Sequence, residues 1–358
     1  MKSIAENQPA APDSQPEVAA PASRRRQFWY LLKAMRPRQW TKNLLVFAGV
    51  VFAQRVLDFG ALGRATGAFV VFCLLSSLVY LINDLGDLES DRQHPTKRYR
   101  PLASGKLAVP VAVAGVAALG VLATILIVVL TVWPGAIAPA QDLHITLAPL
   151  RFTVVSSPPL PPDSQYGVLG NIGGGRLLFP IVAFSYVALN LAYTLRLKHV
   201  VIVDVFCIAG GFVLRAMAGA MVIPVPISSW LYLCTILLSL FLALGKRRQE
   251  LLLLDAGASL HRRILQEYSP QLLDQMITIV TSATLMAYSL YTFQGTTGNH
   301  RLMVTIPFVL YGIFRYLYLI YMKMEGGSPE EVLLRDKHIL GSVALCALTM
   351  LALLYLSF

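Results

Sequence analysis

Charged residues are scarce in this sequence: only 14% of its 358 residues are Asp, Glu, Lys or Arg, while 56% are hydrophobic. A soluble domain carries about 25% charged residues, so the deficit excludes two ordinary soluble domains of this combined length. Acidic residues are the scarcer kind, with 19 against 30 basic ones. We therefore expect most of the chain to face lipid or other helices.

The sequence also lacks a cysteine framework and a secretion signal. Its four cysteines all lie inside apolar runs, without the paired spacing of a metal or disulfide site. The N-terminal residues are rich in Pro, Ala and Gln and contain no apolar run of the roughly 7–15 residues that a signal peptide needs. We interpret residues 1–26 as a disordered cytoplasmic tail and residues 27–358 as a transmembrane domain.

Nine apolar runs approach the roughly 20 residues that a helix needs to cross a bilayer. They predict an all-α integral membrane protein with about nine transmembrane helices. Residues 27–38 mix aromatic and basic side chains and predict an amphipathic interfacial helix, stopped by Pro37. The nine runs are 41–58, 65–83, 108–132, 177–195, 200–222, 228–245, 273–293, 302–321 and 338–357.

Basic residues are concentrated on one side of these predicted spans. With nine spans, 23 of the 30 Lys and Arg residues lie on the side of the N-terminus, and five lie on the other. The positive-inside rule then places the N-terminus in the cytoplasm and the C-terminus outside. The same bias explains most of the net charge of +11, so we expect no nucleic-acid partner. The Pro- and Gly-rich connection 134–176 is interpreted as an extracytoplasmic insertion, with strand-like stretches around Ile145 and Phe152 that could pair.

An acidic motif follows the second predicted span. Asp84, Asp87 and Asp91 are spaced three and four residues apart, which puts them on one face if the helix continues beyond the bilayer. Asn83 adds an amide oxygen. Carboxylate oxygens suit Mg²⁺, which proteins commonly bind together with substrate phosphates. A basic run follows at once, so the motif predicts a Mg²⁺–diphosphate site, and the alternative is a loop whose charges only set topology. The basic residues are Arg92, Lys97, Arg98, Arg100 and Lys106.

The motif N-D-x-x-D-x-x-x-D from Asn83 to Asp91 resembles the first signature of the UbiA superfamily of intramembrane prenyltransferases. The resemblance covers residues 27–358 apart from the 134–176 insertion. It implies nine transmembrane helices around a central cavity, with Mg²⁺ bridging the aspartates to a diphosphate. The wider pattern is similar to one branch, the decaprenyl-phosphate phosphoribosyltransferases of bacterial inner membranes. The matching stretches are 36–43, 91–101, 193–199, Asp204, 211–216, 245–251 and 334–336.

A second aspartate-rich motif, which the resemblance would place after the sixth span in aromatic prenyltransferases, is missing. That place reads Gly-Lys-Arg-Arg-Gln-Glu over residues 245–250, with no aspartate before Asp255. One acidic cluster and two basic ones suit several phosphates. 5-Phosphoribosyl diphosphate (PRPP) carries a diphosphate and a 5-phosphate, and a lipid phosphate acceptor adds a third anion. The charges therefore favour phosphoribosyl transfer.

The predicted site has three groups of residues. Metal ligands would be Asn83, Asp84, Asp87 and Asp91. Catalytic residues would be the three aspartates with Lys97 and Arg98, which stabilise the leaving diphosphate. Asp204 lies inside a span, where an ionisable residue indicates a functional role; the alternative is that it only pairs with Lys198 or Arg215. Arg315, also inside a span, is interpreted as part of a structural ion pair. The substrate-binding residues would be Arg38, Lys42, Asn83, Arg100, Tyr193, Lys198, Asp204, Lys246, Arg247 and Glu250.

The function that we predict is Mg²⁺-dependent transfer of phosphoribose from PRPP to a polyprenyl (decaprenyl) phosphate, with release of diphosphate. The resemblance implies a role in making the arabinan precursor of a cell wall. The expected partners are PRPP, the polyprenyl phosphate and membrane lipids, with a homo-oligomer left open. Two alternatives are transfer of an isoprenyl group to an aromatic or other acceptor, and lipid transport. Charge concentrated at one membrane face disfavours transport, which often uses midplane sites.

Overall fold

The computed structural model of the chain describes residues 23–53, 55–94, 97–132, 143–147, 150–154, 178–223, 229–255, 267–294, 300–324, 332 and 335–355. Within these ranges the chain is helical apart from one short hairpin. The α-helices are α1 (Arg24–Ala34), α2 (Ala48–Phe52), α3 (Phe59–Gly86), α4 (Leu88–Gln93), α5 (Val109–Val132), α6 (Leu178–Leu195), α7 (Val203–Val222), α8 (Ser229–Asp255), α9 (Pro270–Gln294), α10 (Ile306–Tyr318) and α11 (Lys337–Tyr355).

Short helices of other types connect these elements. The 3₁₀ helices are Pro37–Phe47, Lys97–Tyr99, Leu197–His199 and His300–Thr305, and a π-helical turn, Leu319–Lys323, extends α10. Strands β1 (Leu143–Leu147) and β2 (Leu150–Val154) pair antiparallel, with Ile145 opposite Phe152. This confirms the hairpin predicted in the 134–176 insertion, whose remaining residues lie outside the described ranges, as do tail residues 1–22. Helix α1 begins at Arg24, so it includes residues that we assigned to the tail.

Six helices among the described residues are long and apolar enough to cross a membrane. They are Phe59–Gly86, Val109–Val132, Leu178–Leu195, Val203–Val222, Pro270–Phe293 and Arg301–Lys323. The all-α membrane fold is therefore confirmed, but the count of nine is not. Of the other three predicted spans, α11 contains a shorter apolar stretch, Lys337–Leu353. Helix α8 is long but carries the charged stretch 246–250 in its second half.

The first predicted span, 41–58, is not one α-helix. Pro37–Phe47 forms a 3₁₀ helix, α2 adds five residues, and the helix ends at Phe52. A 3₁₀ helix has three residues per turn, so residues three apart share one face. Trp40, Asn43 and Val46 lie on such a face: the Trp40 indole N–H donates to Ser77 Oγ at 3.1 Å, and Asn43 and Val46 are fully buried. This period of three, and not 3.6, is the pattern that we missed.

Close backbone contact with α7 fixes this segment. A Cβ at Gly219 of α7 would overlap the carbonyl oxygen of Val46, and a Cβ at Gly49 would lie 2.9 Å from the backbone nitrogen of Ala220. Only glycine allows backbones to approach so closely, as in other membrane helix contacts. Helix α7 therefore holds the 3₁₀ helix and α2 directly against the bundle.

Two large apolar cores share helix α7. One contains Phe72 of α3 and Tyr186 of α6, and the other contains Leu244 of α8 and Ile277 of α9. Helix α5, by contrast, exposes a continuous apolar surface that includes Val121 and Ile125. A surface of this kind is stable against lipid and would be costly in water. The cores thus lie between helices, and the exposed apolar face of α5 suits contact with lipid.

One arginine fastens three helices at the end of the bundle opposite the acidic motif. Arg64, near the start of α3, donates from Nε to the carbonyl of Val222 at 2.7 Å and from Nη2 to the carbonyl of Leu130 at 2.9 Å. These carbonyls lie in the last turns of α7 and α5, where backbone oxygens lack helical partners.

Asp58 caps the start of α3 through the N–H groups of Gly60 and Ala61, at 2.9 and 3.0 Å.

Candidate functional site

The acidic motif lies where α3 passes into α4. Helix α3 runs past the apolar segment to Gly86, Asp87 has non-helical backbone angles, and α4 begins at Leu88. The predicted extension of the helix is therefore confirmed, with a break at Asp87. Asp84 and Asp91, seven residues apart, are both buried, whereas Asp87 remains partly exposed. The break separates the environment of Asp87 from that of the other two carboxylates.

Two arginines neutralise Asp84. Arg36 Nη2 lies 2.5 Å from Asp84 Oδ1, and Arg100 Nη1 lies 3.1 Å from the same oxygen. Arg100 Nη1 also lies 2.5 Å from Asp91 Oδ2, so its guanidinium joins the two buried carboxylates. Lys97 Nζ lies 3.8 Å from Asp91 Oδ1. That distance is too long for a hydrogen bond, and among the described residues Asp91 Oδ1 is a buried oxygen without a hydrogen-bond partner.

Asp87 pairs with a different part of the chain. Its Oδ1 accepts a hydrogen bond from Lys198 Nζ at 3.4 Å, which connects the motif to the 3₁₀ helix that follows α6. The three aspartates therefore do not stand together as one ligand group. Within the described ranges, no three His, Cys, Asp or Glu side chains are close enough to hold a metal ion. Asn83 precedes Asp84, is partly exposed, and its backbone carbonyl accepts from the N–H of Asp87 at 2.9 Å.

A second charged cluster is buried beside the first. Arg247 of α8 is only 1% exposed, and Asp204 at the start of α7 is fully buried. Arg247 Nε donates to Asp204 Oδ2 at 2.6 Å, Nη1 donates to Glu250, and Nη2 donates to the Tyr193 hydroxyl at 3.2 Å. Four predicted site residues thus meet, but the partner of Asp204 is Arg247. The alternatives of Lys198 and Arg215 were wrong.

Tyr268, just before α9, completes this buried cluster. Its hydroxyl donates to Asp204 Oδ1 at 2.9 Å and accepts from the backbone N–H of Ile202 at 2.7 Å. Ile202 has φ 69°, a left-handed conformation that is strained for a β-branched residue. Burial raises the pKa of Tyr268 to about 12, so the hydroxyl stays protonated near neutral pH. Tyr268 therefore stabilises both the strained turn and the carboxylate.

The remaining predicted cations lie around these clusters. Arg98 is exposed and donates to the Tyr99 hydroxyl at 2.8 Å. Arg38 is exposed on the 3₁₀ helix, whereas Lys42 is partly exposed on another face of it. Lys246 of α8 is partly exposed and immediately precedes buried Arg247. The exposed cations remain accessible to an anion, while the guanidinium of Arg247 is surrounded by protein acceptors.

Two arginines with clear roles were not among the predicted site residues. Arg36 is the first, and it contacts Asp84 although 48 residues separate the two. The sequence feature that could have identified it is its position at the end of the amphipathic segment, before a proline. Arg215, inside α7, is the second: it donates to Asn43 Oδ1 at 2.7 Å and to the Tyr186 hydroxyl at 2.8 Å. Arg215 lies deep in the bundle and anchors the 3₁₀ helix. The interpretation of Arg315 as part of a structural ion pair is confirmed by its 2.8 Å contact with Asp336.

Taken together, these side chains form a charged end in which carboxylates are embedded among cations. Lys97 and Arg100 lie beside Asp91, and Lys198 bonds to Asp87. Arg98 and Lys246 lie nearby in the chain, next to Lys97 and Arg247. Carboxylates are acceptors only, and guanidinium and ammonium groups are donors only. An end of this composition can bind a phosphate-rich ligand through its cations and a hard cation through its carboxylates.

Sequence comparison gives two kinds of match. The model of the UbiA prenyltransferase family matches residues 43–141. A decaprenyl-phosphate phosphoribosyltransferase of Corynebacterium glutamicum is 33% identical over 319 residues, which cover 86% of this chain and 81% of that protein. The protein of the same name from Mycobacterium tuberculosis is 32% identical over 321 residues, with 86% and 88% covered.

Solved structures resemble the fold. A UbiA homologue from Archaeoglobus fulgidus, solved with GPP and Mg²⁺, matches with a TM-score of 0.62 at 16% identity, covering 91% of this chain and 99% of that one. A structure of digeranylgeranylglyceryl phosphate synthase matches with a TM-score of 0.55 at 17% identity, covering 91% of this chain and 98% of that one. At these identities the likeness concerns the fold, and it agrees with the resemblance found in the sequence.

Proposed function

Given that this chain belongs to the UbiA prenyltransferase family of integral membrane enzymes, we propose that it transfers the 5-phosphoribosyl group of PRPP to a polyprenyl phosphate and releases diphosphate. The observation that carries the proposal is the composition of the charged end. Buried carboxylates lie beside partly exposed cations. The stretch 245–250 supplies Lys246, followed by Arg247 within its cluster of protein acceptors, where a second aspartate motif would stand in a prenyl-diphosphate enzyme.

Relatives support this choice of substrates. The bacterial proteins that are about one third identical over most of the chain are named decaprenyl-phosphate phosphoribosyltransferase. A polyprenyl phosphate would approach from the bilayer, and PRPP from the cytoplasm if the positive-inside rule holds for this chain. The proposed product would serve as a precursor for cell-wall arabinan.

A divalent metal fits the residues present. Asp91 Oδ1 is a buried oxygen to which no donor in the described part of the chain bonds, and a carboxylate oxygen in that position suits a hard cation. Asp84 and Asp91 would hold Mg²⁺, with Asp87 and Asn83 next to them in the motif. When bound, the metal would supply positive charge to the leaving diphosphate.

The protein side chains would orient and stabilise the reactants. In the reaction, an oxygen of the lipid phosphate bonds to C1 of the ribose, the bond from C1 to the diphosphate oxygen breaks, and diphosphate leaves with its electron pair. Arg100, Lys97 and Arg98 would bind the diphosphate and stabilise the charge that develops on it. Lys246 and Lys198 would bind the remaining phosphates. Arg247 would act through Asp204, Glu250 and Tyr193 by positioning the ends of α6, α7 and α8.

Labelled PRPP tests this reaction directly. Purified protein is incubated with radiolabelled PRPP, a polyprenyl phosphate and Mg²⁺, and we expect radiolabel in the lipid fraction. The alternative is isoprenyl transfer, which the GPP-containing structural neighbour makes worth testing. If no label enters the lipid while an isoprenyl diphosphate is consumed with an aromatic acceptor, the phosphoribosyl assignment is wrong.

A carboxylate substitution tests the role of the motif. Asp84→Asn keeps the size of the side chain but removes its charge, and we expect turnover to fall by at least about a hundredfold. The matched control is Asp58→Asn at the opposite end of α3, because asparagine caps a helix about as well as aspartate. Turnover that is unchanged in Asp84→Asn would contradict the metal assignment.

A further inference from the structure

We propose that Arg36 is a further diphosphate-binding residue and that it forms an exchangeable ion pair with Asp84. In this exchange, the Asp84 carboxylate would hold the metal, and the Arg36 guanidinium would bind the diphosphate that accompanies it. Arg36 has this role only if the metal–diphosphate site of the proposed function is correct. Arg36 comes from the junction of α1 with the 3₁₀ helix, so it would extend the cation set beyond the loop 97–100.

The first support is competition for one oxygen atom. Arg36 and Arg100 both bond to Asp84 Oδ1, at 2.5 and 3.1 Å. A carboxylate oxygen has two lone pairs, and these two guanidinium groups already use them. A metal ion that binds this oxygen would therefore compete with both arginines, and one that binds Asp84 Oδ2 would still place a positive charge beside both guanidinium groups. A displaced guanidinium beside a new diphosphate finds a partner of the geometry that it binds best.

The number of carboxylate partners indicates which arginine can exchange. The side chains of Arg36 and Arg100 are similarly exposed, at 29% and 26%, whereas that of Asp84 is 3% exposed, so both arginines lie on the solvent side of the carboxylate. Arg100 has a second carboxylate, Asp91, at 2.5 Å and would keep that bond after leaving Asp84. Among the described residues, Asp84 is the one carboxylate in contact with Arg36. Of the two, Arg36 is therefore the one whose charge would be released.

Tyr80 gives the released guanidinium a place to remain. The Cζ atom of Arg36 lies 4.7 Å from the centre of the Tyr80 ring, and Tyr80 precedes Asp84 by one turn of α3. An arginine stacked on an aromatic ring keeps its edge N–H groups available for phosphate oxygens. Tyr80 would thus hold Arg36 near Asp84 in both pairings.

The backbone of Arg36 also indicates a constrained position. Its φ of 56° and ψ of 61° are left-handed, a conformation that non-glycine residues rarely adopt. Strained backbone is concentrated at functional sites, where the surrounding structure holds it in place. Helix α1 ends at Ala34 and the 3₁₀ helix begins at Pro37. These two helices on either side of Arg36 fix the direction of its side chain.

Two binding measurements on the full chain test the exchange. In lipid nanodiscs, calorimetry gives the Kd of Mn²⁺ alone and the Kd of inorganic pyrophosphate at saturating Mn²⁺. For Arg36→Gln we expect Mn²⁺ to bind at least about threefold more tightly, because a competing charge near Asp84 is gone. We expect pyrophosphate to bind about tenfold more weakly, because a charge-assisted bond is lost.

Opposite changes in the two constants distinguish this role from others. If Arg36 only supported the fold, both ligands would bind more weakly, and if it only set topology, neither constant would change. Either of these results would overturn the proposal. The charge-matched control is Arg25→Gln, since Arg25 is exposed in the first turn of α1, at the other end of that helix from Arg36, so both constants should stay as in the wild type.

A conservative variant keeps the test decisive if Arg36→Gln fails to fold. Arg36→Lys retains the charge but loses the planar fork, so Mn²⁺ affinity should stay near the wild-type value while pyrophosphate binds several-fold more weakly. Equal pyrophosphate affinity in this variant would contradict the proposal. Neither probe contains ribose or an isoprenyl group. The outcome of this binding test is therefore independent of the transfer assay, so failure of one can be told from failure of the other.

Discussion

Replacing Asp204 by asparagine should destabilise the fold more than any exposed charge substitution on the same helices. Asp204 is fully buried, bonds to Arg247 at 2.6 Å and accepts from Tyr268 at 2.9 Å. Breaking a buried ion pair by removing one partner costs about 3–5 kcal/mol, because the other charge stays buried. Arg247 keeps its contacts with Glu250 and Tyr193, so we expect a loss near the lower limit, about 3 kcal/mol.

A double-mutant cycle separates the pair from its surroundings. Arg247→Met should also cost about 3 kcal/mol, since it leaves Asp204 as a buried carboxylate. The double variant removes both charges, so it should be less destabilised than the two single losses combined, with a coupling of about 2 kcal/mol. The assay is equilibrium unfolding in mixed micelles at increasing SDS, followed by circular dichroism.

The matched control is the next residue along α8. Arg248 pairs with Asp274 at 2.6 Å, but the Asp274 side chain is 37% exposed, so Arg248→Met should cost no more than about 1 kcal/mol. If Asp204→Asn costs no more than this control, the buried cluster does not stabilise the charged end. That result would also remove the reason for assigning Arg247 a positioning role.

Two further predictions concern packing and pH. Gly219→Ala should destabilise the protein by several kcal/mol and lower transfer activity, because the added Cβ would overlap the Val46 carbonyl. The control is Gly63→Ala, which has open space around it and should be neutral or slightly stabilising in the same SDS titration. A hydrogen bond from Arg315 lowers the pKa of Asp336, so this carboxylate stabilises the folded state above its unfolded pKa of about 3.9, and the contribution disappears as the pH falls through the lower folded pKa. Unfolding at pH 3 and pH 6 should therefore show a smaller pH dependence in Asp336→Asn than in the wild type, and equal dependence would contradict the pairing.

The chemistry of the site was easier to predict than its pairings. The continuation of α3 past its apolar segment followed from the spacing of the aspartates, because a helix fixes which neighbours share a face, but the break at Asp87 separates that carboxylate from the other two. Arg36 and Asp84 are 48 residues apart, and Asp204 and Arg247 are 43 apart. Apolar periodicity indicates which face of a helix is buried, but not which helix packs against it. The partner of Asp204 was for this reason predicted wrongly.

The first predicted span shows a different limit. Hydropathy detected an apolar segment at 41–58, and the segment does pack into the bundle. Hydropathy depends on composition and contains no information on hydrogen-bond pattern, so it could not distinguish a 3₁₀ helix from an α-helix. The sequence did mark the buried face, with a polar residue at Asn43 and a small one at Gly49. Averaging hydropathy over the segment conceals such single positions.

The 3₁₀ helix has a consequence for how this segment tolerates changes of length. Each residue turns a 3₁₀ helix by about 120°, so deleting or inserting three residues would return Trp40, Asn43 and Val46 to the same face. A change of one residue would turn that buried line away from α3 and α7 and bring the face of Arg38 or Lys42 towards them. Changes of length in this segment should therefore occur in steps of three, whereas the described α-helices, with 3.6 residues per turn, have no such short whole-number step.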